Sequence, residues 1–178
     1  KVRDGRCDES RHCIADNWCF EVFGKAEMRC TLNPTAGREL LCGRLKPAAI
    51  PKRVVIVGAG PAGMEAARVA GLRGHRVVLY EKTGMLGGGE LRLAAGASHK
   101  EGFLGIAGYY ASQFKKLPNV TVRLRREATA AGLLRAKADV VIVAAGGRPL
   151  VPKILGVDGP QVTTAFAVLG GEQRIENQ

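Results

Sequence analysis

"RVVIVGAGPAGMEAARVAGLRGHRVVLYE", residues 53–81, decides the fold. It begins at 53–57 with a short, β-branched, apolar run, the composition of a strand buried on both faces of a parallel sheet. Glycines follow at 58, 60 and 63, in G-x-G-x-x-G spacing. A helix is expected from Pro61 to Arg73: proline occupies the first turn, where no N–H is missed, Met64, Ala67 and Val69 face inward, and Gly74 stops it. A second apolar strand at 76–80 completes a βαβ unit and delivers Glu81 at its carboxyl end.

Each glycine answers a separate need. Gly58 allows the tight turn, Gly60 lets a pyrophosphate approach the backbone with no Cβ in the way, and Gly63 lets helix and strand pack closely. The phosphates then meet free N–H groups and the positive end of the helix dipole. Glu81 stands 23 residues after Gly58, where a carboxylate accepts hydrogen bonds from the ribose hydroxyls of an adenosine and repels a 2′-phosphate, which disfavours NADP. Lys82 either reaches the adenosine or its phosphates or is an ordinary solvent-exposed lysine.

Downstream, "EKTGMLGGGEL" places Gly84 and glycines 87–89 just past the ribose acid, as a loop pressing backbone against the middle of a cofactor requires. A helix near 100–117, a strand at 120–124, a short helix near 128–136 and an apolar strand at 140–146 follow. Strands alternating with helices argue for an α/β fold, a doubly wound parallel sheet of the Rossmann-like, dinucleotide-binding kind. "ADVVIVAAGGRP" ends its strand in Ala144, Ala145 and Gly146, small residues where a flavin can lie close to backbone, so the dinucleotide reads as FAD. The candidate cofactor set is Gly58, Ala59, Gly60, Pro61, Ala62, Gly63, Glu81, Lys82, Gly88, Gly89, Ala145 and Gly146.

Upstream the texture differs. Residues 1–45 are irregular and punctuated by Gly, Pro, Asn and Cys, "KPAAIPK" at 46–52 is a linker, and 53–178 is the nucleotide domain. All 5 cysteines of the 178 residues lie at or before Cys42; without a secretory signal, such crowding favours metal over disulfides. Residues 1–50 carry 9 basic and 7 acidic groups and residues 51–178 carry 18 and 9, so the basic surplus belongs to the nucleotide domain. "RLRR" at 123–126 is its densest cluster, but aromatics are only 5% and no nucleic-acid motif is present, which argues for a solvated face or an acidic partner. No apolar run reaches the roughly 20 residues that span a bilayer, so a cytoplasmic protein with no membrane association is expected.

These residues resemble the carboxy-terminal part of the iron–sulfur flavoproteins related to old yellow enzyme, the group of 2,4-dienoyl-CoA reductase and trimethylamine dehydrogenase. The likeness runs nearly end to end, through residues 54–82, the "LGG" loop, "VVIVAAGGRPLVP" and "CTLNPTAGRE". It implies an FMN-carrying barrel, a [4Fe–4S] cluster, an FAD domain and an inserted NAD(P)H domain, of which this chain holds the middle. The chain is then a natural subunit, a fragment, or part of a longer sequence. Expected partners are an FMN-barrel subunit or domain and a NAD(P)H domain, in a hetero- or homo-oligomer.

The same resemblance assigns the cluster ligands: Cys13, Cys19 and Cys30 match the family motif, and its second cysteine has become Asp16. A carboxylate substitutes for thiolate less tightly, and Cys7 is the other candidate for the fourth place, whereas Cys42 lies beyond the motif. A zinc or three-iron site, and a segment that has lost its metal, are the other readings. Asn17 and Trp18 sit inside the ligand loop, where an amide can donate to sulfur and an indole can shield a cluster or pack on a partner. No constellation for nucleophilic catalysis is present, and His12 and His99 stand alone. The implied function is electron relay between NAD(P)H, FAD and a cluster serving an FMN barrel, within an enoate reductase or amine dehydrogenase type of enzyme that does not turn over substrate through this chain alone. The alternative is a structural docking module holding ADP or nothing.

Overall fold

A computed structural model describes residues 3–175, so the last three residues of the expected 53–178 domain lie outside it. The apolar runs form four strands: β1 (Arg53–Val57), β2 (Arg76–Tyr80), β3 (Val120–Arg123) and β4 (Val140–Val143). They make one sheet in the order β3-β2-β1-β4, all parallel, with Val55 opposite both Val78 and Val141. The chain steps outward from β1 to β3 and then crosses to the far side of β1. Strand order therefore reverses at β1, the switch point at which doubly wound sheets bind ligands.

The helices are α1 (Trp18–Glu21), α2 (Glu39–Cys42), α3 (Pro61–Leu72), α4 (Gly88–Ala95), α5 (Leu104–Lys115), α6 (Ala130–Arg135) and α7 (Ala165–Leu169). Helices α3 and α5 cover one face of the sheet. Met64, Ala67 and Ala70 of α3 and Tyr110 and Phe114 of α5 close over Val54, Ile56, Val77 and Leu79. Val69, expected inward, is only half-buried. The buried stripe runs through Gly63, Met64, Ala67, Ala70 and Gly71, and at 3.6 residues per turn position 69 falls beside it. On the opposite face the outer strand is uncovered among the described residues, with Val143 74% exposed.

Three boundaries differ from the sequence reading. Strand β4 stops at Val143, and Gly146 is already in a left-handed conformation (φ 77°). The helix expected near 100–117 begins as a 3-10 turn at Glu101–Phe103. The glycine-rich loop becomes helical from Gly88: glycine is a poor helix former, but Leu91 and Ala95 bury against the body and hold the segment.

The segment before the linker is irregular, as its composition implies, and docks through charge. Arg11 donates to Glu65 Oε2 (3.0 Å) and to Asn33 (3.1 Å) and lies over the Tyr109 ring, 4.8 Å from its centroid. Glu65 also accepts from Arg68 and Tyr110, and Glu9 pairs with Lys116 at 2.6 Å. Burial works to raise the pKa of Glu65, but the Arg68, Tyr110 and Arg11 donors outweigh it and hold the carboxyl below its usual range. Among the described residues no helix is long and apolar enough to cross a membrane.

Met64 is fully buried at the centre of the α3–sheet contact. Met64→Ala should lower stability by about 2–5 kcal/mol, the usual cost of removing such a side chain, as measured by urea denaturation.

Candidate functional site

The site is built where β1 turns into α3. Gly58 takes φ 98°, a conformation that suits glycine, and its N–H donates to the Tyr80 carbonyl (2.8 Å). A Cβ on Gly58 would overlap the Ala144 carbonyl oxygen, and one on Gly63 would overlap the Gly58 carbonyl oxygen. Both glycines are thus demanded by the fold. Gly60 is different: its φ of −68° suits any residue, and a Cβ there would come no closer than 4.0 Å to Gly87 O. Among the described residues, none occupies the space that a Cβ would take at that position.

Hydrogen-bond donors are in place at the same turn. The N–H groups of Gly60, Ala62 and Gly63 meet no acceptor among the described residues, because α3 begins its ladder with Met64 N–H to Gly60 O (2.9 Å). The positive end of a twelve-residue helix faces the same point.

Glu81 is 4% exposed. Its two carboxylate oxygens accept from the Ala59 N–H and the Thr83 N–H, both at 2.8 Å. Burial pushes its pKa up, but these two donors and the neighbouring Lys82 charge outweigh it, and the carboxyl is held below its ordinary range. The residue read from sequence as a ribose acceptor is therefore also the brace of the turn. Lys82 is exposed.

The glycine-rich loop lies on the turn. Gly87 N–H donates to Ala59 O (2.9 Å), and a Cβ on Gly88 would stand 3.2 Å from Gly60 Cα, whereas Gly89 faces open space. Glu90, which the sequence reading passed over, ties α4 to the end of β4: its Oε1 accepts the Gly147 N–H at 2.6 Å, and it would crowd any Cβ on Gly146. Its only sequence signal was a carboxylate in the first turn of a helix that had been read as a loop. Ends of β1, β2 and β4 and the start of α4 thus converge, bringing Gly58–Gly63, Glu81, Gly88 and Gly146 together. A cavity of about 330 Å³ adjoins them, bounded by Pro61 and Ala62, by Leu91 and Tyr109, and by Arg11 and His12 from the amino-terminal segment.

The metal expectation fares differently. Cys7, Cys13, Cys19, Cys30 and Cys42 are all free and exposed, and among the described residues no three His, Cys, Asp or Glu side chains come together to hold a metal ion. Asp16 instead accepts from the Trp18 N–H (3.4 Å), and Cys13 Sγ accepts from the Ala15 N–H (3.3 Å). Trp18 is 42% exposed. Cys13, Asp16, Cys19 and Cys30 are not gathered into one ligand set among the described residues.

Residues 52–178 match the family model described as "Pyridine nucleotide-disulphide oxidoreductase". The chain belongs to that family. It is 38% identical over 177 residues to an NADH oxidase of Thermoanaerobacter brockii, covering 97% of this chain and 27% of the relative. It is 39% identical over 158 residues to a multifunctional alkene reductase/demethylase of Caballeronia cordobensis, covering 88% and 23%. Among solved structures, a 2-naphthoyl-CoA reductase complex superposes with a TM-score of 0.88 at 38% identity, over 99% of this chain and 27% of that one. A 6-hydroxypseudooxynicotine amine oxidase of Pseudomonas geniculata superposes with a TM-score of 0.86 at 31% identity, over 98% and 28%. The resemblance read from the motifs holds: this is a flavin-dependent oxidoreductase domain, corresponding to the carboxy-terminal portion of the old yellow enzyme-related enzymes. It spans about a quarter of the length of the relatives it matches.

Because Glu81 has a folded pKa below its unfolded value of 4.5, its contribution is complete above that pH and is lost as pH falls through the lower, folded value. Glu81→Gln replaces one acceptor by a donor facing a buried N–H. It should cost about 1–3 kcal/mol at neutral pH and leave a smaller acid-dependent loss below pH 4.5 than in the wild type, measured by thermal melts across that range.

Proposed function

We propose that the β1–α3 crossing binds FAD and that the chain serves as the electron-transfer part of a larger NAD(P)H-dependent flavin oxidoreductase. The observation that carries this reading is Gly60: a position whose missing Cβ faces open space, beside three unpaired N–H groups and a buried, ionised Glu81. Such open space, set next to unused donors, fits a diphosphate. In this reading the N–H groups of Gly60, Ala62 and Gly63 hold the phosphates, the Glu81 carboxylate accepts from the ribose, and the backbone of Ala145 and Gly146 lies beyond the diphosphate. A bound flavin supplies exchange of electron pairs with a nicotinamide and of single electrons with a one-electron carrier.

The rest of the assembly is proposed on the activities for which the relatives are named: alkene, cinnamate and CoA-ester reduction and amine oxidation. The reacting substrate would then be met by an FMN-carrying barrel, on the same longer protein or on another subunit, with a NAD(P)H domain as the source of electrons. Nucleotide released from the purified full-length protein separates this from the docking reading, which Asp16 in place of a ligand cysteine favours. Bound FAD with visible flavin absorbance supports electron transfer, and ADP alone or no nucleotide sinks it.

Gly60 supplies a sharper check. Gly60→Ala should lower the thermal midpoint by no more than about 4 °C, because the backbone angle and the space admit a methyl group and the only loss is alanine's poorer capping of the helix, while weakening FAD or ADP binding by about tenfold or more.

Iron binding by Cys13, Asp16, Cys19 and Cys30 requires the exposed segment to close around the metal, with binding free energy serving as folding free energy. Thiolate holds iron more tightly than carboxylate. Asp16→Cys should therefore retain more iron and sulfide per chain after anaerobic reconstitution than the wild type, by chemical analysis.

A further inference from the structure

The basic cluster at 123–126 is the one motif that the proposed site leaves unused. It stands at the carboxyl end of β3, and the sheet order β3-β2-β1 places it next in line after the glycine turn and Glu81. A dinucleotide with its diphosphate at the end of β1 and its ribose at the end of β2 carries its adenine onward toward the end of β3, one strand spacing of about 4.8 Å further.

The backbone at that point is held firmly. Glu81 N–H donates to Arg123 O (2.9 Å), Arg126 N–H to Glu81 O (2.9 Å) and Arg125 N–H to Thr83 O (2.8 Å). These bonds keep Arg125 in a left-handed conformation, φ 53°, which side-chain-bearing residues adopt at a cost that glycine avoids. The guanidinium lies over Gly84, where a Cβ would stand 3.1 Å from Arg125 Nε and 3.6 Å from Nη2. Among the described residues, no carboxylate pairs with Arg123, Arg125 or Arg126. A flat cation is thus held by an unfavourable backbone conformation, laid against a glycine, next to the ribose carboxylate, and given no acidic partner.

We propose that Arg125 sets the affinity of the site for the adenosine half of its nucleotide, with the guanidinium plane lying against the adenine ring. This rests on the reading of the crossing as an adenine-dinucleotide site. Arginine is suited to it because its planar, weakly hydrated head stacks on an aromatic face, which the ammonium of lysine does not do as well. The left-handed backbone then acquires a reason: it turns the side chain back toward the Thr83–Gly84 segment.

Calorimetry with ADP on the full-length protein tests the proposal. Arg125→Gly should keep or raise the thermal midpoint, since glycine suits φ 53°, yet bind ADP about five- to tenfold more weakly. Arg125→Lys should recover little of that loss, Arg126→Ala should bind within about twofold of wild type, and the loss should persist at high salt, where general attraction is screened. Wild-type affinity in Arg125→Gly, or full rescue by lysine with the effect vanishing at high salt, overturns the ring contact and leaves the site standing. A wild-type protein that binds no adenine nucleotide overturns the site and this inference together.

Discussion

The hydrogen bond from the Ala59 N–H to the Glu81 carboxylate joins the end of β1 to the end of β2, and the geometry of the crossing follows from it. Ala59 is held from both sides, because its carbonyl oxygen accepts the Gly87 N–H. With both polar groups of the middle residue committed, the turn cannot rotate to give its remaining donors to the protein. The N–H groups that follow stay pointed outward. A buried ion of this kind is tolerable only with its lone pairs met, and two charge-assisted bonds from backbone donors meet them.

The glycines around this brace divide into two kinds. Gly58 and Gly63 are places where the protein's own carbonyl oxygens occupy the space that a side chain would need. They let β1, β4 and α3 approach closely enough for the switch point to exist. Gly60 and Gly89 have no atom closer than 4.0 Å on the Cβ side, and so are not required by the packing of the fold. Gly88 belongs with the first kind, since it lets the glycine-rich loop rest on Gly60.

The amino-terminal segment is attached by a different physics. Among the described residues it contributes no buried apolar side chain to the core, and it is fastened through the half-buried Arg11–Glu65–Arg68–Tyr110 network. The cavity bounded by Arg11, His12 and the first turn of α3 forms along this junction. Docking of the segment therefore shapes the surroundings of the proposed cofactor site, whatever its cysteines hold. An oxidoreductase domain organised in this way supplies positioning and electrostatics, and the chemistry belongs to the group it carries.

The periodicities of residues 53–81 were enough to determine two strands, the helix between them and the glycine turn, since these depend on local sterics and on an apolar pattern with period two or 3.6. The later strands were legible for the same reason, whereas their order in the sheet, β3-β2-β1-β4, was not. Tertiary structure alone decided what no local pattern encodes. The inward stripe of α3 passes through Ala70 and not Val69, because the sheet beneath selects which turn of the helix it meets. Gly88 starts a helix, because Leu91 and Ala95 find a core to bury in. Glu81 reaches the Ala59 amide, Glu90 reaches across to Gly147, and Arg125 lies over Gly84, all contacts between segments well separated in the chain. The four expected metal ligands show the converse: their spacing is a property of the sequence, but convergence is a property of the folded segment, and Cys13, Asp16, Cys19 and Cys30 stay apart because exposed loops with no core of their own have nothing among the described residues to draw them together.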